Sequence, residues 1–262
     1  MDFDAASYSH EEFSLSLGRL ISEVTASKAV TPKDTPTAIL LGGQSGAGKS
    51  TLHKIFLEQF SHDIIPINGD EYRSAHPRYR ELDRLYGIDS VKYTAPWAGA
   101  MTEALIEALS KARYNLIVEG TLRTAEVPTK TATLLTSRGY SVSLALMAVK
   151  PEISLISCQM RYEEMRIAGT IPRATDPAHH AKIVEAIVSN IEQLEQSDLF
   201  DSIELYNRSE HCLHSSKSDS GKASDAMRST LFGEWTDEEH THYQCLKRRL
   251  EELQRRAPSA PA

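Results

Sequence analysis

Residues 37–51 read TAILLGGQSGAGKST, and their reading decides the fold. A short apolar run at residues 38–41 enters a glycine-rich turn, after which Leu52, Ile55 and Phe56 recur at the spacing of one helical face. Gly43, Gly48, Lys49 and Ser50 satisfy G-x-x-x-x-G-K-[ST] in the strand–turn–helix context that a phosphate-binding loop requires. The glycines let the backbone turn so that successive N–H groups surround an anion, and the helix N-terminus adds partial positive charge. Gly43, Gln44, Ser45, Gly46, Ala47, Gly48, Lys49, Ser50 and Thr51 are therefore expected to bind a nucleotide. Lys49 is expected on the β- and γ-phosphates and the Ser50 hydroxyl on Mg²⁺.

Outward from this loop, strand and helix patterns alternate. Residues 63–68, 114–119, 141–149 and 202–206 read as strands; 90–112, 127–137, 151–167 and 177–197 read as helices. The strand runs are continuously apolar, which suits a parallel sheet covered on both faces. The expected fold is a P-loop kinase-like α/β protein with helices on both faces of a parallel sheet, plus N- and C-terminal helices. Residues 9–26 open with a Ser9–Glu12 capping box and stripe Phe13, Leu17, Leu20, Ile21 and Val24 on one face. Residues 31–36 form a breaker-rich connector. The serine-rich stretch 207–222 reads as a solvated loop or β-excursion with no chemistry assigned. Helices follow at 223–232 and 236–255, the second opened by Thr236 and Glu239. The expected organisation is a helix and connector at 1–36, a kinase core at 37–208, a loop and helices packing on it at 209–256, and a disordered tail at 257–262.

Composition excludes several function classes. A formal charge of −7 over 262 residues argues against a protein that lives on nucleic acid, which needs a basic surface. The acidic start MDFDAASYSHEEF lacks the order of a secretory signal, and no apolar run approaches the ~20 residues that span a bilayer. A cytoplasmic protein without a membrane partner is expected. Cys158, Cys212 and Cys245 are too widely spaced for a zinc site and suggest no disulfide framework.

In open parallel sheets, ligands sit beyond the carboxyl ends of the strands, so polar residues there are the ones to test. Asp70 follows the second strand, with Arg73, His76, Arg78 and Arg80 behind it, and is placed to accept a hydroxyl proton during phosphoryl transfer. The competing expectation for Asp70 is a helix cap. Glu119 ends the third strand and is followed by Gly120, Thr121 and Arg123; it would orient Mg²⁺ through water or bond a substrate hydroxyl. Arg161, Arg166 and Arg173 follow the fourth strand, where a mobile lid would bring cations over the phosphates. His179 and His180 read as capping or surface residues.

Together LLGGQSGAGKS, GDEYRSAHPRY, YTAPWAGAM, EGTLRT, and RYEE followed by RAT resemble the zeta-toxin family over residues 39–208. The resemblance implies an ATP-dependent kinase that phosphorylates the 3′-hydroxyl of the amino sugar in UDP-N-acetylglucosamine, blocks peptidoglycan precursor synthesis and is held by a cognate antitoxin. It implies Lys49, Arg161, Arg173 and the base Asp70 as catalytic residues, Ser50 on the Mg²⁺ side, and Asp70, Arg73, Glu119, Thr121 and Arg123 toward the sugar nucleotide. One departure is Asn68-Gly69-Asp70, where relatives often carry two acids. Another is the Arg161–Arg173 interval, which leaves the lid role to Arg173 or Arg166. The alternatives are a P-loop kinase with another hydroxyl acceptor, or a nucleotide-dependent switch.

Overall fold

The computed structural model describes residues 6–27 and 29–257. The expected tail lies outside the described residues from position 258 onward, as does the acidic start up to position 5.

At the centre of the sheet is β1 (Thr37–Gly42), hydrogen-bonded in parallel to β3 (Leu116–Glu119) on one side and β4 (Ser141–Met147) on the other. Beyond them lie β2 (Ile65–Ile67) on β3 and β5 (Ser202–Tyr206) on β4, both parallel. A further strand, β6 (Cys212–Ser215), runs antiparallel to β5 and gives the order β2-β3-β1-β4-β5-β6 among the described residues. The stretch 207–222 is thus a β-excursion that extends the sheet past residue 208.

Alternation along β1 divides the core. Ala38 and Leu40 face the larger cluster, which holds Trp97, Met101, Leu105 and Leu116, while Ile39 and Leu41 face Leu52, Phe56, Met147 and Ile153. Every one of these side chains is buried, which is why the run reads as continuously apolar. The second face is covered by α2 (Lys49–Gln59) and α6 (Pro151–Ile167); the first by α4 (Ser90–Lys111), α5 (Glu126–Ser137), α7 (Pro177–Glu195) and α8 (Ala223–Phe232). Both expected capping boxes form: Ser9 opens α1 (His10–Thr25) and Thr236 opens α9 (Asp237–Arg256). The second strand is shorter than its apolar pattern. Asp63 is drawn off by Lys33 and by the Thr31 N–H, and Asn68 Oδ1 accepts from Asp70 N–H at 3.1 Å. Between β2 and α4 the chain adds a 3₁₀ turn at Glu71–Ala75 and α3 (Tyr79–Tyr86), whose one buried residue, Leu82, leaves no apolar repeat to read.

Two anchors fix the terminal helices. On α1, Phe13 packs edge-on against Trp97 with ring centroids 5.4 Å apart, and Tyr8 does so at 4.8 Å. Trp97 is fully buried and donates its indole N–H to Tyr72 O at 3.0 Å, which ties α4 to the segment carrying Asp70. At the other end, buried Lys150 donates to Gly233 O at 2.7 Å and Glu234 O at 3.2 Å, with its ammonium 5.9 Å from the Trp235 ring centroid. α9 lies along α6, joined by Arg249 to Glu164 at 2.8 Å.

Trp97→Ala removes a fully buried aromatic and orphans the Tyr72 carbonyl, so a loss of about 3–5 kcal/mol is expected in chemical denaturation. A loss below about 1 kcal/mol would show that α1 and the 3₁₀ turn do not depend on this ring.

Candidate active site

All five parallel strands end on one edge, so the segments after β1, β2, β3, β4 and β5 converge there. The loop after β1 enters α2 through Gly43, Gly46 and Gly48 at φ +138°, +76° and +99°. These are left-handed conformations that side chains resist. At Gly46 space forbids substitution as well: a Cβ would overlap the Ser154 carbonyl of α6 and lie 2.7 Å from Cys158 Sγ. Gly48 is the N-cap of α2 and carries no side-chain cap, which leaves the first-turn N–H groups for an anion.

Lys49 is buried and points back along the loop, donating to Gly43 O at 2.9 Å, with Gln44 O at 3.5 Å. Its ammonium is 3.6 Å from Glu119 Oε1, and Glu119 Oε2 accepts from His53 Nε2 at 2.9 Å. Burial pushes the Lys49 ammonium below the ordinary lysine value, against the opposing pull of Glu119 and Asp70. Burial pushes the Glu119 carboxyl up, but the His53 hydrogen bond and the Lys49 charge outweigh it and hold it below the ordinary glutamate value.

Asp70 follows β2, its carboxylate exposed and its Oδ1 accepting from Arg73 Nε at 2.9 Å. It precedes a 3₁₀ turn without capping it through its side chain, so the cap alternative does not describe it. Arg73 also donates through Nη1 to Val91 O at 2.8 Å and Thr94 Oγ1 at 3.2 Å on α4, so it brackets Asp70 rather than standing free. Partial desolvation by its neighbours pushes the Asp70 carboxyl up; the Arg73 hydrogen bond, with the charges of Arg73, Arg173 and Arg161, more than offsets this and lowers it. Arg173 Nη1 donates to the Asp70 main-chain carbonyl at 3.4 Å, and its charge also acts on the carboxylate. Arg166 instead pairs with Glu163 at 2.8 Å and lies 5.9 Å from the Tyr162 ring centroid. Of the two arginines offered for the lid, Arg173 is the one bonded to Asp70.

Of the remaining expected substrate residues, Thr121 is half-buried and Arg123 exposed, flanking Leu122 at φ +54°, whose carbonyl accepts from Asn190 Nδ2 at 2.8 Å. His76 and Arg78, which follow Asp70 in the sequence, are committed elsewhere: His76 is buried against Ala6 O at 3.2 Å, and Arg78 bonds Ser7, with Oγ at 2.7 Å. Ser50 is exposed in the first turn of α2 next to Lys49. Among the described residues no group of three or more His, Cys, Asp and Glu could hold a metal. An exposed hydroxyl at the start of α2 still fits Mg²⁺, which takes one or two protein oxygens and completes its shell with phosphate and water.

Three residues near the loop escaped sequence reading. His53 lies one turn beyond Lys49 on α2, an i,i+4 relation that placed it on the same face. His180, read as capping or surface, is buried: its Nε2 is 2.9 Å from Ser154 Oγ, which also meets Gln44 Nε2 at 3.3 Å. Asp176 makes the α7 cap instead. Arg208 lies directly beyond β5 and donates to Gly46 O and, at 3.1 Å, to Ala47 O. The strand-end rule applied to β5 would have named it; the serine-rich composition of 207–222 hid it.

A family model described as Zeta toxin matches residues 21–219. The chain belongs to the zeta toxin family. It is 46% identical over 247 residues to toxin PezT of Streptococcus pneumoniae serotype 4, covering 94% of this chain and 97% of that one. Toxin zeta of Streptococcus pyogenes is 41% identical over 184 residues, 70% of this chain and 64% of its own length. A solved structure from the characterisation of the PezAT chromosomal toxin–antitoxin system of S. pneumoniae matches with TM-score 0.87 and 43% identity, over 96% of this chain and 99% of that chain. The expected kinase-like fold and zeta toxin kinship are thereby borne out.

Because the Asp70 carboxyl is lowered in the folded chain, it remains ionised as pH falls through its ordinary value of 3.8. Stability from this group is present above that value and lost only as pH falls through the lower folded one. Arg73→Met is expected to move the Asp70 titration, followed by carboxyl-selective NMR, to higher pH; an unmoved titration would remove Arg73 as the group that holds it. Gly46→Ala is expected to displace the loop from α6 and abolish nucleotide binding, measured by calorimetry, and binding at wild-type strength would contradict the packing described.

Proposed function

We propose that the chain is an ATP-dependent kinase that transfers the γ-phosphoryl group to the 3′-hydroxyl of the amino sugar of UDP-N-acetylglucosamine. In this reading it is the toxin of a toxin–antitoxin pair, works in the cytoplasm against peptidoglycan precursor synthesis, and is restrained by a cognate antitoxin. Among the described residues no helix is long and apolar enough to cross a membrane. The observation that carries the kinase reading is the strand-end Asp70 carboxylate, held by Arg73 and facing the charges of Arg161 and Arg173 on the same sheet edge as Lys49 and Glu119.

In the proposed reaction the acceptor oxygen bonds the γ-phosphorus, its proton passes to Asp70, and the bond to the β-γ bridging oxygen breaks to release ADP. The low Asp70 value keeps the carboxylate ionised and able to orient the hydroxyl. Lys49 would exchange its loop carbonyls for the β- and γ-phosphate oxygens, while His53 keeps Glu119 ionised and in place for a substrate hydroxyl. Arg161 and Arg173 would meet charge that spreads over the equatorial phosphoryl oxygens. Mg²⁺ held through Ser50 would supply further charge neutralisation there. Thr121 and Arg123 are the substrate-side groups left open by the fold, Arg123 for the diphosphate of the sugar nucleotide.

Asp70→Asn is expected to lower turnover by about 10²- to 10⁴-fold while ATP binding survives, because a base is removed and the anion cradle is not. Mass spectrometry of the nucleotide-sugar pool after induced expression should show a phosphorylated UDP-amino sugar with the wild type and far less of it with this variant. Full activity in the variant would sink the mechanism, and phosphate found only on another metabolite would replace the acceptor.

A further inference from the structure

The loop that would hold ATP is gripped by one residue of the segment after β5. Arg208 is half-buried, and its fork makes three kinds of contact: Nη2 donates to Gly46 O, Nε donates to Ala47 O at 3.1 Å, and Nη2 also reaches Ser157 Oγ on α6 at 3.0 Å. Its stem crosses Gly48, where an added Cβ would lie 3.4 Å from Arg208 Cγ. All three acceptors are neutral, and among the described residues no carboxylate pairs with this guanidinium. Arginine remains protonated in such surroundings, so the positive charge is retained against the loop.

A trans peptide is planar, so a carbonyl and the following N–H point in opposite directions. Where Arg208 holds the Ala47 carbonyl, the Gly48 N–H of the same peptide unit points the opposite way, away from the guanidinium. Ala47 N–H closes a turn onto Gln44 O at 3.1 Å and completes the same winding. With three glycines at positive φ, the loop has little conformational preference of its own, and contacts such as those of Arg208 add to its internal bonds in orienting these peptide units.

We propose that Arg208 is a positioning residue for phosphate binding: by holding the Gly46 and Ala47 carbonyls outward it presets the peptide N–H groups that face the nucleotide phosphates. The proposal rests on the reading that this loop binds ATP. Its ligand is the polyphosphate chain, not the base or the acceptor sugar.

The test compares wild type, Arg208→Met and Arg208→Lys by calorimetry with ATP and with inorganic tripolyphosphate, alongside thermal melting without ligand. Arg208→Met is expected to weaken ATP and tripolyphosphate by the same factor, about tenfold or more. Arg208→Lys, which keeps the charge but not the fork, is expected to lie between the two, and kinetics should show the change in the KM for ATP more than in kcat. Folded Arg208→Met with wild-type affinity for both ligands overturns the proposal. So does weakening of ATP alone, which would make Arg208 a contact to the base. If Arg208→Met does not fold, folded Arg208→Lys binding both ligands at wild-type strength overturns it in the same way. A wild type that binds neither ligand would instead overturn the nucleotide reading from which the proposal starts.

Discussion

Close packing of α6 against the phosphate loop is the contact on which the rest of the site depends. Gly46 touches the Ser154 carbonyl so tightly that any side chain would collide with it, and Gln44 is buried with Nε2 bonded to Val149 O at 3.0 Å. A loop with three left-handed glycines would otherwise sample many conformations, and ordering it costs about 1–2 kcal/mol per residue in backbone entropy. Here that cost is met at folding, by contacts from α6, α7 and the segment after β5, rather than at ligand binding. A cradle so held meets its anion preformed.

The same sheet edge sets the charges. Lys49, Glu119 and His53 form one chain and Asp70 with Arg73 another, with Arg161 and Arg173 exerting their charges on Asp70. In both carboxylates desolvation and pairing oppose each other, and pairing wins, so both stay ionised at neutral pH. Lys49 rests on the loop's own carbonyls, contacts that phosphate oxygens would replace with stronger charge-assisted ones.

Much of this was legible in residue order. The apolar runs located the parallel strands because burial on both faces demands them, and the two capping boxes named the starts of α1 and α9 to the residue. Asp70 and Glu119 stood out because a ligand must approach beyond strand ends. The short 3₁₀ turn and α3 were not legible, since one buried leucine makes no period. Neither was the burial of His180, a residue whose neighbour His179 is exposed and whose polar composition suits a surface equally well.

By itself the sequence determined the phosphate loop, the alternating strand–helix order that carries it, and the family kinship, because each is written in local spacing of residue types. Tertiary structure alone decided which groups hold those residues in place. Arg208 meets Ala47 across 161 positions and His53 meets Glu119 across 66, and no local pattern encodes a contact of that separation. It likewise tied His76 and Arg78 to the N-terminal segment and Arg166 to Glu163, contacts that their places in the sequence did not announce. The physical reason is that a side chain's charge is set by its type, whereas its partners are set by which distant strand ends and helices the sheet brings within hydrogen-bond reach.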